Sequence, residues 1–364
     1  KTAMIDYSDI FRSQAESLNT AGMEGILRAA DVPREVAQNF SVKEIVLNML
    51  SGDAAVNQEK VLDLLKTMFF GEIRGLVSLA AQLICICIAA GILSSFASGF
   101  GSGTASGMSS VICSFMAAGI CLTAFYNIYQ GSLGAVSAMT NLMSVSLPVI
   151  FAVTAVSGGA SSAAVLSAVV TAAVTAFSAW VRFILMPMVF VSGIFSVVSS
   201  VGKRSYIKKT AKFLRTAAVF GMGLSITLFT GLTAIQGIMT KSADDMLMRT
   251  ARYSLDNLIP LVGGFTADSL EMIIACLKSI RGGIGVAGVI ILVLLLIGPL
   301  VKSMCVVLIF RATSLVLEPA GDDAMSDCMG ELASAATVMA ALLFLSSLMF
   351  VIFFTCVLRF VPSL

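Results

Sequence analysis

The chain's most concentrated set of groups able to do chemistry lies between Thr266 and Arg281. Asp268, Glu271, Ala275 and Lys278 follow a 3-4-3 spacing, which on a helix is one face. Two carboxylates and an amine therefore form a stripe on a segment otherwise built from Leu270, Ile273, Ile274, Cys276, Leu277 and Ile280. A charge at the centre of a lipid-embedded helix costs about 2.5–3.5 kcal/mol, so this stripe must face protein, water or the membrane interface. Two readings follow: a water-lined pathway or subunit contact, or an amphipathic helix on the outer membrane surface. A hydrolytic carboxylate pair is not among them, because no nucleophile or metal partner accompanies the two acids.

The other chemistries fail on residue type. Histidine is absent, which removes Ser-His-Asp and Cys-His nucleophile systems, His-ligated zinc and the usual proton shuttle near neutral pH. The eight cysteines (Cys85, Cys87, Cys113, Cys121, Cys276, Cys305, Cys328 and Cys356) are scattered, mostly within apolar runs. Cys85 and Cys87 point to different faces of a helix and make a poor metal pair. The set reads as small apolar packing residues, without a disulfide framework. The Gly-rich run Ser98–Gly107 lacks a Lys-Ser/Thr pair after its last glycine and a strand before it, so it reads as a flexible linker rather than a phosphate cradle. No catalytic residue, cofactor or metal site is expected, and no basic aromatic groove for nucleic acid is present.

The elements that carry these residues are membrane spans. Apolar residues make up 58% of the chain and charged ones 12%, about half the usual charged share. Between Leu76 and Val201 the only charge is Arg182. About 20 apolar residues cross a bilayer, and clear segments of that kind occupy roughly 75–97, 108–129, 183–201, 214–239, 284–303 and 334–358. Two further regions, 141–181 and 256–281, are apolar but interrupted. In the first, Pro148 precedes a break containing Gly158 and Gly159; in the second, Pro260, Gly263 and Gly264 precede a helix start at Asp268 capped by Glu271. Such interruptions predict re-entrant half-helices, with two ordinary spans joined by a glycine loop as the alternative for 141–181. Arg182, beside Trp180, reads as an interfacial anchor at the outer end of a span. Lys302 and Arg311 read as snorkelling toward the cytoplasm.

Residues 1–72 are different material. The first 74 positions hold 19 of the 44 charged residues. Ser41 and Glu44 form a capping box, and apolar positions from Val61 to Phe69 recur at helical period. This segment reads as an amphipathic helical unit preceding a transmembrane domain at 73–364. A chain beginning at Lys1 is read as having lost a leader, which places that segment outside the cytoplasm. The basic cluster agrees. Lys203, Arg204, Lys208, Lys209, Lys212 and Arg215 carry no acidic residue among them, so 202–215 is assigned to the cytoplasm. Counting spans back puts 98–107 there as well. The acidic stretch 311–333, with Glu318, Asp322, Asp323, Asp327 and Glu331, offers a face for a basic partner or a plain solvated loop.

Pro148 and Pro187 are 39 residues apart, as are Pro260 and Pro299. Each pair spans an interrupted region and the start of a two-span hairpin. The expected fold is therefore all-α and polytopic, with a first hairpin at 73–130 and two repeats of interrupted or re-entrant helices plus a hairpin at 133–239 and 245–358. Segments 75–97 and 108–129 stand as a reduced third copy.

Finally, the run Arg249-Thr-Ala-Arg-Tyr-Ser-Leu-Asp-Asn-Leu-Ile-Pro-Leu-Val-Gly-Gly264 resembles the signature stretch of the stage III sporulation protein AE family. The preceding Thr227-Leu-Phe-Thr-Gly-Leu-Thr-Ala-Ile-Gln236 is similar to the segment before it, and the likeness runs from about residue 40 to the C-terminus. The resemblance implies a subunit of the transenvelope channel or secretion complex between mother cell and engulfed forespore, required for late forespore development. It implies residence in the mother-cell membrane around the forespore, other membrane proteins of the same complex and a separate ATPase as partners, and contact with lipid. A homo-oligomer is compatible with it. The alternatives are a stand-alone secondary transporter of a small molecule and a non-conducting assembly scaffold.

Overall fold

The computed structural model describes residues 103–155, 160–202, 206–231, 263–318 and 323–359, with a few single positions before Gly103. These residues build five helices: α1 (Gly103–Thr154), α2 (Ala160–Trp180, a π turn Val181–Leu185, then Met186–Gly202), α3 (Tyr206–Gly231), α4 (Gly263–Leu317) and α5 (Asp323–Arg359). Each contains a stretch long and apolar enough to cross a membrane, and among the described residues there is no strand. The fold is an all-α polytopic bundle. The N-terminal segment 1–72 with its capping box, the span 75–97, and Gly158, Gly159, Lys203, Arg204 and Pro260 lie outside the described residues.

Several expected boundaries vanish inside continuous helices. α1 runs for 52 residues and α4 for 55, about 78 and 82 Å at 1.5 Å per residue. The second half of the Gly-rich run, from Gly103, is helical. The division expected near 130–133, between a first hairpin and a first repeat, falls in mid-α1. Tyr129-Gln130-Gly131-Ser132 looks like a loop by composition, yet Ser132 is fully buried, the Tyr129 ring stacks on Phe190 at 4.5 Å, and Gln130 Nε2 donates to Tyr126 Oη.

The interrupted regions also change character. In place of short half-helices, 141–181 comprises the end of α1 and the start of α2, two long helices meeting near 155–160. In the second region α4 begins at Gly263 and continues without a break through Asp268, Ile280, Gly282 and Gly283 to Leu317. Gly263 and Gly264 are thus the first helical residues, and Asp268 lies inside the helix rather than capping a second half-helix. Pro148 and Pro299 sit within α1 and α4. Proline removes one backbone donor and crowds the carbonyl four residues back, but packing of neighbouring helices sustains the helix in a bundle of this kind.

At Pro187 the strain has a visible outlet. The wide π turn ends at Leu185, two positions before it, with the Met186 N–H donating to the Val181 carbonyl. One extra residue in a turn next to a proline relieves the clash and shifts the helical register.

The helices run antiparallel in sequence. α4 and α5 share the most extensive contact, and α5 also packs on α1 and on the second half of α2. Their turn is tied reciprocally: Ser314 Oγ donates to the Ser326 carbonyl at 2.9 Å and Ser326 Oγ to the Ser314 carbonyl at 3.0 Å. The hairpins α2–α3 and α4–α5 match the two expected two-span hairpins. Their turns lie at one end of the bundle. α1 starts at that end too, because Cys121 meets Met329 near the start of α5 while Thr140, further along, bonds Ser178 on α2. The start of α1 and the α2–α3 pair thus share one end, with one long helix where a span and an interrupted region were expected; positions 98–102 and 203–205 of the two segments assigned to one side lie outside the described residues.

The interior is filled by large apolar groups. Phe125, Phe310, Phe350, Phe353 and Phe354 are fully enclosed, and Phe177 joins Phe229 and Phe350 with ring centroids 5.9 and 5.7 Å apart. Glycines let backbones approach: a Cβ at Gly193 would overlap the Phe125 ring, and one at Gly288 would overlap Phe354.

Candidate functional site

Two charged features stand out among the residues whose side chains the structure describes. The first is a polar layer at the hairpin-turn end. α3 begins at Tyr206, so Lys208, Lys209, Lys212 and Arg215 belong to its first turns rather than to a loop. Likewise α4 ends at Leu317 and α5 begins at Asp323, which puts Asp327 and Glu331 on a helix rather than in a loop. Acidic residues at a helix N-terminus are favoured by its dipole.

The basic and acidic faces meet. Lys208 Nζ lies 3.0 Å from Asp327 Oδ2 and 3.7 Å from Glu331 Oε1. Arg215 pairs with Glu331 through Nη2, donates Nη1 to the Glu331 carbonyl at 3.3 Å, and reaches Ser196 Oγ on α2 at 3.3 Å. The acidic face expected to dock a basic partner is therefore engaged by the chain's own α3. The two pairs differ in weight. The Lys208 and Asp327 side chains are 43% and 66% exposed, where an ion pair contributes about 0–1 kcal/mol. The Arg215 side chain is 9% exposed, and its guanidinium ties α2, α3 and α5 at one point.

The second is Arg182, which stands apart from that layer. It lies in the π turn, midway along α2, not at the end of a span as expected. Its guanidinium sits 5.6 Å from the Phe183 ring centroid, and its Nε is buried without an acceptor. The aromatic cluster around Phe177 continues the apolar belt beyond it.

The other expected positions do not converge. Pro148, Pro187 and Pro299 stand on three helices, and Asp268, Glu271 and Lys278 lie on the first part of α4. Lys302 lies in the second half of α4, with Arg311 nearer its C-terminal end. Cys121 and Cys328 are buried packing residues, as the sequence suggests. The Arg215–Glu331 contact escaped sequence reading because its partners are 116 residues apart. The one available signal was that an all-basic and a largely acidic stretch each follow a proline-containing span.

The shared end can be checked directly. In a cysteine-free background, Thr210→Cys and Leu315→Cys should react with an impermeant maleimide from the same face of the membrane, the cytoplasmic one, and Ala152→Cys from the other. Opposite sidedness of positions 210 and 315 would contradict the ion pairs.

Comparison with known proteins supplies the rest. A family model described as stage III sporulation protein AE matches residues 40–360. The chain is 26% identical over 317 residues to stage III sporulation protein AE of Bacillus subtilis (strain 168), a match covering 87% of this chain and 79% of that relative. No solved structure matches.

Proposed function

We propose, from the premise that this chain belongs to the stage III sporulation protein AE family, that it is a membrane subunit of a channel or secretion complex joining mother cell and forespore. In this reading it resides in the mother-cell membrane around the forespore, with residues 1–72 in the intermembrane space. The observation that carries the subunit role, against that of a lone transporter, is the filled interior. Phe125, Phe310, Phe350, Phe353 and Phe354 close the bundle, and the ion pairs of the described residues all lie in the layer at one end. A transporter of the broken-helix type needs polar groups converging near the membrane midplane. Here the described prolines and candidate charges are dispersed. A conduit then forms between this chain and its partners, and energy enters through a separate ATPase.

Purified protein in liposomes should leave entrapped small solutes at the leak rate of protein-free vesicles, and should hydrolyse neither nucleotide nor peptide. In sporulating cells its deletion should block late forespore gene expression even when all other subunits are made. Uptake by the lone protein, abolished by a point substitution within it, would establish the transporter instead.

A further inference from the structure

We propose that Arg182 marks the docking site of a transmembrane helix from a different protein, and that this helix presents an aspartate or glutamate within the apolar slab. The inference rests on the membrane-spanning fold and not on the conduit reading above.

Depth comes first. Arg215 touches Ser196 on α2 and so fixes the level of the polar layer on that helix. From Ser196 to Arg182 is about 21 Å of helix, against an apolar slab of about 30 Å. Arg182 is not at the slab's far rim, because Phe177, one and a half turns further on, packs among Phe229 and Phe350, and Ser178 bonds Thr140 of α1.

Direction comes next. Around Arg182 the surface of α2 faces outward: Phe183 is 72% exposed, Ile184 43% and Trp180 38%, while Val181 and Leu185 are buried. The π turn inserts one residue into the helical register and sets which side chains of this turn face the bundle. Arg182 itself is half-buried. The Phe183 ring offers it a cation–π contact, but its Nε lacks an acceptor, and the ion pairs of the described residues use only Lys208 and Arg215. A guanidinium in hydrocarbon is costly, and an anion on a neighbouring helix is one of the ways intramembrane cations are satisfied.

Charge complementarity selects the occupant. The spans Ala118–Ala152, Ser167–Ser200, Tyr206–Gly231 and Gly283–Leu317 contain no Asp or Glu, and the carboxylates of Met325–Thr355 lie in the polar layer. A second copy therefore brings no carboxylate from these spans to that depth. A foreign span does, and Trp180, Phe183 and Ile184 supply the apolar surround typical of an arginine hot spot.

The test places a benzophenone amino acid at Phe183 in full-length protein made in sporulating cells. Ultraviolet light should yield an adduct with another membrane protein, joined within a span containing Asp or Glu. Arg182→Leu should reduce the yield at least tenfold, Arg182→Lys should retain most of it, and reversing both charges should restore it. Purified Arg182→Leu protein should keep the wild-type melting temperature, because no described residue supplies the arginine with an anion. Crosslinking only to lipid or to a second copy, an undiminished adduct in Arg182→Leu, or a fall of several degrees in its melting temperature would each overturn the proposal.

Discussion

Glu331→Ala should lower the unfolding free energy of the purified protein in detergent by about 3 kcal/mol, at the lower end of what removing one partner of a buried ion pair costs. The lower end applies because the Glu331 side chain is 24% exposed. The loss leaves the Arg215 guanidinium enclosed among α2, α3 and α5, with a serine hydroxyl and a carbonyl but no anion. Arg215→Met should cost less, about 1–2 kcal/mol, since Glu331 is more exposed and Lys208 still lies 3.7 Å from it. The order of the two single variants is the informative result. The double variant should fall well short of their sum, because contacting partners are not additive. Lys208→Ala and Asp327→Ala should each stay within about 1 kcal/mol and respond to salt. Denaturant-induced unfolding followed by tryptophan emission reads all five proteins, as Trp180 is the chain's sole tryptophan. Equal losses for Glu331→Ala and Asp327→Ala would show that burial does not set the weight of this layer.

Gly288→Leu should be at least as damaging. At this position α4 lies so close to α5 that even a Cβ would overlap the Phe354 ring, which is itself fully buried and has no free space to swing into. Overpacking of this kind costs about 1–3 kcal/mol and sometimes more, and a leucine adds three carbons beyond the offending one. Loss of the folded species on size-exclusion chromatography is the expected readout. Gly288→Ala should be milder and partly rescued by Phe354→Leu, whereas a pure helix-propensity effect would have the opposite sign. Gly223 supplies that control: nothing lies within 4 Å of a Cβ built there, so Gly223→Ala should be neutral or stabilising by up to about 1 kcal/mol.

The membrane fold was legible because hydropathy is a property of composition over about 20 residues, and no packing detail is needed to read it. The two hairpins and their shared end followed from the same signal and from the basic cluster. Helix continuity was not legible. Gly282-Gly283, Pro299 and Tyr129–Ser132 are punctuation in water, where an interrupted backbone finds solvent partners. In an apolar bundle the backbone has no such alternative, so Gly283 is buried within α4 and Ser132 within α1. The same bias explains Arg182. A charge next to a tryptophan suggests a membrane interface, and only the packing of Phe177 and Phe229 shows that apolar structure continues beyond it. Asp268, Glu271 and Lys278 do lie on one helix, which continues into the next span rather than ending.

Chain order gives the polar layer a second meaning. The basic turns of α3 precede Glu331 by more than a hundred positions, which at about 5–20 residues per second is roughly 6 to 23 s of synthesis. During that interval the described acidic partners of Lys208 and Arg215 have not yet been made, and the positive-inside rule would act on charges that neither Asp327 nor Glu331 yet offsets. Only when α5 follows do Asp327 and Glu331 arrive to cancel them. If topology follows the positive-inside rule, the same guanidinium would serve first as an address and then as a lock, and the acids that complete the lock follow too late to blur the address.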